Sequence, residues 1–129
     1  MKEAYFILYV SDQAKSASYY GEVLDRKPIL DVPGITELRL RDGSILGLMP
    51  VQSAGRLLGE SVFRSSSKVP KAELYLVVDD PSSYHQRALD SGGTELSPMQ
   101  LRDWGHRAAY SMDHDGHVLA FAEKVAQTS

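Results

Sequence analysis

The sequence predicts an α+β fold: two βαβββ modules forming curved mixed sheets around a cleft. Three observations point there: an internal repeat, the same order of elements in both copies, and a composition suited to one small domain. Ala4-Tyr5-Phe6-Ile7-Leu8-Tyr9-Val10-Ser11-Asp12 matches Ala72-Glu73-Leu74-Tyr75-Leu76-Val77-Val78-Asp79-Asp80 at an offset of 68. Asp42-Gly43-Ser44-Ile45-Leu46-Gly47-Leu48-Met49 matches Asp115-Gly116-His117-Val118-Leu119-Ala120-Phe121-Ala122 at an offset of 73. The second copy therefore carries about five more residues between its paired segments. Two matches in one order define repeats of about 1–50 and 71–125, joined by segment 51–70 into a single domain over 1–125.

In the first repeat, residues 4–10 alternate in the manner of a strand and end at Asp12, a good N-cap for a helix over 13–24. Tyr20, Val23 and Leu24 give that helix an apolar stripe. Strands are expected near 27–31, 36–40 and 44–49, with Asp42-Gly43 turning between the last two. In the second repeat Asp80 is expected to cap a helix that starts at Pro81, where a missing N–H costs nothing. Tyr84, Ala88 and Leu89 form its expected buried stripe, and Gly92-Gly93 ends it. Strands near 94–97, 107–112 and 117–123 complete the unit. The joining segment carries Leu57, Leu58, Val62 and Phe63, which a bare linker would not need, so it is expected to cover something apolar. Ala126 to Ser129 are expected to fray.

Composition excludes several classes of function. The chain has 129 residues, 43% hydrophobic and 24% charged, a length that folds without disulfide or structural metal. It has no cysteine, which removes thiolate metal sites and thiol nucleophiles. Its net charge of −3 offers no basic surface for nucleic acid. No apolar run reaches the ~18 residues of a membrane-spanning helix, and the N-terminal apolar stretch is too short for a signal peptide. No membrane partner and a cytoplasmic location are expected.

The repeat is similar to the glyoxalase / bleomycin-resistance / extradiol-dioxygenase (vicinal oxygen chelate) superfamily. Three sets of residues carry the resemblance over about 4–124. The first is Tyr9-Val10-Ser11-Asp12 with Ser18-Tyr19-Tyr20 and Val23-Leu24; the second is Val77-Val78-Asp79-Asp80 with Arg87-Ala88-Leu89 and Gly92-Gly93. The third is Trp104-Gly105-His106-Arg107 with Asp113-His114-Asp115-Gly116-His117 and Val118 to Glu123. In metal-dependent members each half supplies one ligand on its first strand and one on its last. The resemblance places those positions at Tyr5, Gly47, Glu73 and Ala120. Gly47 and Ala120 have no donor atom and leave space where ligands would stand, and a tyrosine is a poor ligand for most divalent metals. No metal and no cofactor are therefore expected.

Strand alternation assigns the faces. Phe6, Leu8 and Val10 are expected to pack on the first helix, leaving Tyr5, Ile7 and Tyr9 on the concave side. Leu74, Leu76 and Val78 pack likewise, leaving Glu73, Tyr75 and Val77 on the concave side. Gly47 and Ala120 face the same way, so the cleft is apolar and aromatic with one carboxylate, the make-up of a small-molecule pocket. The tyrosines are either simple strand filling or ligand contacts. Glu73 is an edge residue in water, a partner of Arg39, Arg41 or Arg107, or a general base or acceptor for a ligand amine or amide. Trp104, the sole tryptophan, is a loop anchor or a stacking surface for a flat ligand. His106, His114 and His117 are either exposed turn residues, the expected case, or a metal-binding cluster at the hairpin end, and His85 is expected as a solvated helix residue.

Three functions fit. The first is a metal-free small-molecule binder resembling drug-sequestering resistance proteins, with Tyr5, Ile7, Tyr9, Gly47, Glu73, Tyr75, Trp104 and Ala120 as candidate ligand contacts. The second is a lyase, isomerase or dioxygenase-type enzyme with an atypical site, Glu73 being the sole candidate catalytic residue. The third is a dimeric interaction module. Homodimers are expected because relatives close each cavity between modules of two chains.

Overall fold

In a computed structural model, residues 1–59 and 72–125 are described. They form two compact units, Met1–Lys68 and Val69–Ser129. The first runs β1 (Ala4–Val10), α1 (Gln13–Leu24), β2 (Leu30–Val32), β3 (Ile35–Arg41), β4 (Ser44–Pro50) and α2 (Val51–Leu58). The second runs β5 (Glu73–Val77), α3 (Pro81–Asp90), β6 (Thr94–Leu101), β7 (His106–Met112) and β8 (Val118–Lys124). Each unit holds a four-stranded mixed sheet, ordered β1-β4-β3-β2 and β5-β8-β7-β6. The α+β, twice-repeated βαβββ reading is the observed architecture.

The repeat matches reappear as strand pairs. β1 lies parallel to β4, with Ile7 opposite Gly47; β5 lies parallel to β8, with Tyr75 opposite Ala120. In the first unit α1 covers one face. Asp12 caps it, its carboxylate accepting from the Lys15 N–H at 3.1 Å. Tyr19, Tyr20, Val23 and Leu24 are buried on α1, and Leu38, Leu46 and Leu48 on the sheet. At the helix start Gln13 Nε2 donates to Thr36 Oγ1 at 2.9 Å, tying α1 to the face that carries these leucines. Phe6 shares that face in register but is 48% exposed. It sits on β1, an edge strand of its sheet, so only one flank has a paired strand beside it.

In the second unit α3 packs on the face of Leu119 and Phe121, with the Tyr84 and Phe121 rings 5.2 Å apart. Its buried residues are Pro81, His85 and Ala88 rather than Tyr84, Ala88 and Leu89. Asp80 does not cap this helix through its side chain. It adopts a left-handed conformation (φ 54°), and its carboxylate accepts from the Ser83 hydroxyl at 2.6 Å.

The edge strands depart most from expectation. β2 is three residues long and starts at Leu30, after Pro28 has interrupted the ladder. β6 runs through Pro98 to Leu101 with register shifts, which an edge strand tolerates because its outer N–H groups need no partner. Part of the joining segment is helical: α2 lies against β4 and β1 and buries Ala54 and Gly55, whereas Leu57 and Leu58 are exposed. The other apolar residues of that segment, Val62 and Phe63, lie outside the described residues, as do Ala126 to Ser129. Among the described residues no helix is long and apolar enough to cross a membrane.

Candidate functional site

Register fixes which side chains share the sheet faces opposite α1 and α3. In the first unit these are Tyr5, Ile7 and Tyr9 of β1 with Ile45, Gly47 and Met49 of β4. Tyr5, Ile7 and Tyr9 are exposed there, as expected. Gly47, however, is no vacancy. A Cβ at this position would lie 2.5 Å from Ile7 Cδ1 and 3.3 Å from Ile35 Cδ1, so two isoleucines already occupy the space.

The second unit differs in kind. Glu73, Tyr75 and Val77 of β5 share a face with Ala120 and Ala122 of β8, and with His106, Ala108 and Tyr110 of β7. Tyr75 Oη lies 2.7 Å from His106 Nδ1 and accepts from Trp104 Nε1 at 2.9 Å. To reach these partners the phenol crosses β8 where that strand presents Ala120 and Ala122 on this face. Ala120 and Ala122 are fully buried, so Ala120 is floor beneath the aromatic cluster and presents no surface of its own. Tyr110 stands 6.5 Å from the Tyr75 ring, and the Arg102 guanidinium lies 5.1 Å from the Tyr110 ring centre.

The turn between β6 and β7 carries Trp104. The Arg102 side chain holds the turn, donating to Ala108 O, Ser97 Oγ and Pro98 O at 2.8–3.1 Å in the manner of a five-donor fork, the Pro98 and Ser97 bonds being 2.8 and 2.9 Å. Gly105 takes φ +83°, a conformation costly for other residues, and lets the chain reverse directly after Trp104. The indole is 55% exposed although its N–H is bound, so its face is open to a ligand. It is both loop anchor and available stacking surface. Glu73 is exposed, and no ion pair to Arg39, Arg41 or Arg107 is present among the described residues. Burial pushes the Tyr110 hydroxyl above its ordinary pKa; the Glu73 carboxylate and Tyr75 push the same way, and Arg102 opposes them.

These residues do not fit a divalent metal. Of the four positions the resemblance implies, Gly47 is filled by isoleucine methyls, Ala120 is covered, and neither carries a donor. Among the described residues, no three His, Asp or Glu side chains come together to hold an ion. The histidines have other partners. His85 is 6% exposed, its Nε2 2.8 Å from Glu95, and is not solvated. His117 Nδ1 lies 2.8 Å from the buried Asp113 carboxylate, which also accepts from the Asp115 and His117 N–H groups. His106 is part of the aromatic cluster rather than an exposed turn residue.

The family model for the Glyoxalase/Bleomycin resistance protein/Dioxygenase superfamily matches residues 4–121. The chain belongs to this superfamily. Solved superfamily folds superpose over nearly its full length. A glyoxalase/bleomycin resistance protein/dioxygenase family enzyme from Burkholderia phytofirmans gives a TM-score of 0.82 at 18% identity, covering 94% of this chain and 97% of the other. A glyoxalase-related enzyme from Fulvimarina pelagi gives 0.77 at 26% identity, covering 94% and 86%. An uncharacterised Mycobacterium bovis protein is 24% identical over 126 residues, covering 95% of this chain and 83% of its own.

Superfamily membership leaves the chemistry to the site. The sequence marks Tyr75, Trp104 and Glu73 as candidates and reads His106 as a turn residue, but it does not single out Tyr110 or Arg102. One signal was present: alternation along β7 puts His106, Ala108 and Tyr110 on one face.

Proposed function

We propose that this superfamily member is a metal-free binding protein for a small planar, partly polar organic molecule, held against Trp104 and oriented by Glu73. One observation carries the reading: an exposed indole fixed by a hydrogen bond to Tyr75, beside His106 and Tyr110, on the face that bears Glu73. Stacking on a held ring contributes about 0.5–1.5 kcal/mol beyond area burial. A hydrogen bond to an ionised carboxylate contributes about 1.5–3 kcal/mol. Holding the indole in advance also lowers the entropy lost on binding.

Trp104 is the sole tryptophan, so its emission reports the site directly. Titration with DNA-damaging antibiotics and aromatic metabolites is expected to shift or quench it for at least one compound class. Glu73→Gln then weakens cationic ligands far more than neutral ones, whereas Trp104→Ala weakens both. If no compound moves the emission or the melting temperature, the binder reading fails and an interaction module becomes the better account.

A homodimer belongs to the same proposal. Tyr5, Ile7, Tyr9, Leu30 and Val32 lie on one face of the first unit, all exposed, and a second copy of the chain would cover such a surface. Light scattering is expected to give about twice the 14.3 kDa chain mass. A particle of one chain mass at micromolar concentration refutes it.

A further inference from the structure

We propose that His106 is a positioning residue that sets the hydrogen-bonding character of the site, deciding whether Tyr75 can give its proton to a ligand. This rests on the binding reading above and names what the site selects for. Three polar atoms meet at Tyr75: its Oη, Trp104 Nε1 at 2.9 Å and His106 Nδ1 at 2.7 Å. An indole N–H can only donate, so Tyr75 Oη accepts from Trp104. The phenol has one proton of its own. With His106 neutral, each group is satisfied when Tyr75 donates to a bare Nδ1 and the imidazole proton sits on Nε2. Tyr75 then has no proton to give and meets a ligand only as a ring or as an acceptor.

Protonated His106 reverses the second bond. Both imidazolium nitrogens are donors, so Nδ1–H must point at Tyr75 Oη, which then accepts from both neighbours. The phenolic proton turns away from His106 and becomes available to a ligand acceptor. The site thus changes from one that offers π faces and the Glu73 acceptor to one that also offers a donor. The preferred ligand changes with it, from a molecule bearing N–H groups to one bearing a carbonyl.

The ionisable groups around the imidazole are few. β5 brings Glu73 and Tyr75 to its face, and β8 places Lys124 directly opposite it in register. Its own strand adds Tyr110 on the same face and Arg107 on the other. The turn adds Arg102, whose N–H donates to the His106 carbonyl at 2.7 Å, and Asp103. No second histidine is among them, so a change between pH 8 and 5, where histidines as a class change charge, is assignable to this residue.

Nitrogen NMR of the His106 ring in the ligand-free protein tests the hydrogen-bond assignment. The proton is expected on Nε2 at pH 8, with Nδ1 gaining one on acidification; an Nδ1–H form at pH 8 overturns the proposal. Acetophenone tests the consequence, being a neutral planar ketone with an acceptor, no donor and no titration of its own. Its affinity is expected to rise at least threefold from pH 8 to 5, and to stay flat in Tyr75→Phe and His106→Gln. A flat wild-type profile, or a rise that survives in Tyr75→Phe, refutes the proposal. Failure of every planar probe to bind at either pH counts against the binding reading, while the ring-nitrogen spectrum still decides the His106 assignment.

Discussion

Gly47→Ala measures whether the first unit's counterpart of a ligand position is open or filled. The added Cβ would stand 2.5 Å from Ile7 Cδ1 and 3.3 Å from Ile35 Cδ1. Carbon atoms pack best near 3.5–4.0 Å, so the Ile7 methyl must move by about 1 Å or more. Ile7 is partly exposed and has somewhere to go. Leaving its rotamer costs about 0.5–1.5 kcal/mol, and uncovering its terminal methyl costs about 0.8 kcal/mol. Removing glycine's backbone freedom returns about 0.5–1 kcal/mol. Gly47→Ala alone should therefore destabilise by about 0.5–1.5 kcal/mol, within the range of mild overpacking. In an Ile7→Ala background only the milder 3.3 Å contact with Ile35 Cδ1 remains, and the same substitution should stabilise by up to about 0.5–1 kcal/mol. The coupling in the double-mutant cycle is then about 1–2 kcal/mol. Urea unfolding of the four proteins reads it from midpoints at constant slope. Additivity within about 0.3 kcal/mol, the ordinary result for independent sites, refutes the filled-site account.

Two further predictions concern metal and alkaline stability. Purified, dialysed protein is expected to hold no stoichiometric divalent metal by elemental analysis, and about one zinc, nickel, manganese or iron per chain would overturn the metal-free reading. The folded state binds the Tyr110 proton more tightly than the unfolded chain, so this contribution is full below the ordinary tyrosine value of 10.0 and is lost as pH rises through the raised folded value. Tyr110→Phe should accordingly lose less stability than the parent between pH 9 and 11 in denaturant titrations; parallel curves would refute it.

Local patterning made most of the fold legible. Alternation in Tyr5 to Val10 and Glu73 to Val78 assigns faces because a strand repeats every two residues, whatever surrounds it. The exceptions share a cause. Phe6 follows the alternation but sits on an edge strand, and edge position is a property of strand order rather than of neighbouring residues. α2 packs through the small residues Ala54 and Gly55 while its large apolar residues Leu57 and Leu58 are exposed, so its bulky residues do not mark the face it buries. His85 looked like a surface residue until α3 was seen to bury Pro81, His85 and Ala88 together. In the site, Tyr75 and His106 stand 31 positions apart and on strands separated by β8. Their hydrogen bond depends on register and on one rotamer, neither of which composition or spacing encodes.

The two repeats solve one structural problem in opposite ways, and that contrast locates the chemistry. Ile7 and Tyr75 occupy the same repeat position, as do Gly47 and Ala120; Ile7 is the cross-strand neighbour of Gly47, and Tyr75 of Ala120. In the first unit an isoleucine turns inward over a glycine and closes the position with hydrocarbon. In the second, the small side chains of Ala120 and Ala122 leave room for a tyrosine to reach across β8, where its hydroxyl meets a histidine and an indole. Hydrocarbon packing can stabilise a sheet or an association surface, but it cannot discriminate among polar ligands. A phenol whose single proton is contested by a titratable neighbour can. On the proposed binding function, selectivity belongs to the second repeat, and exchanging Ile7 with Tyr75 should abolish it rather than move it to the first. The first repeat has no residue equivalent to Trp104 or His106 to receive the phenol, and Ile35 still stands over Gly47 after the exchange.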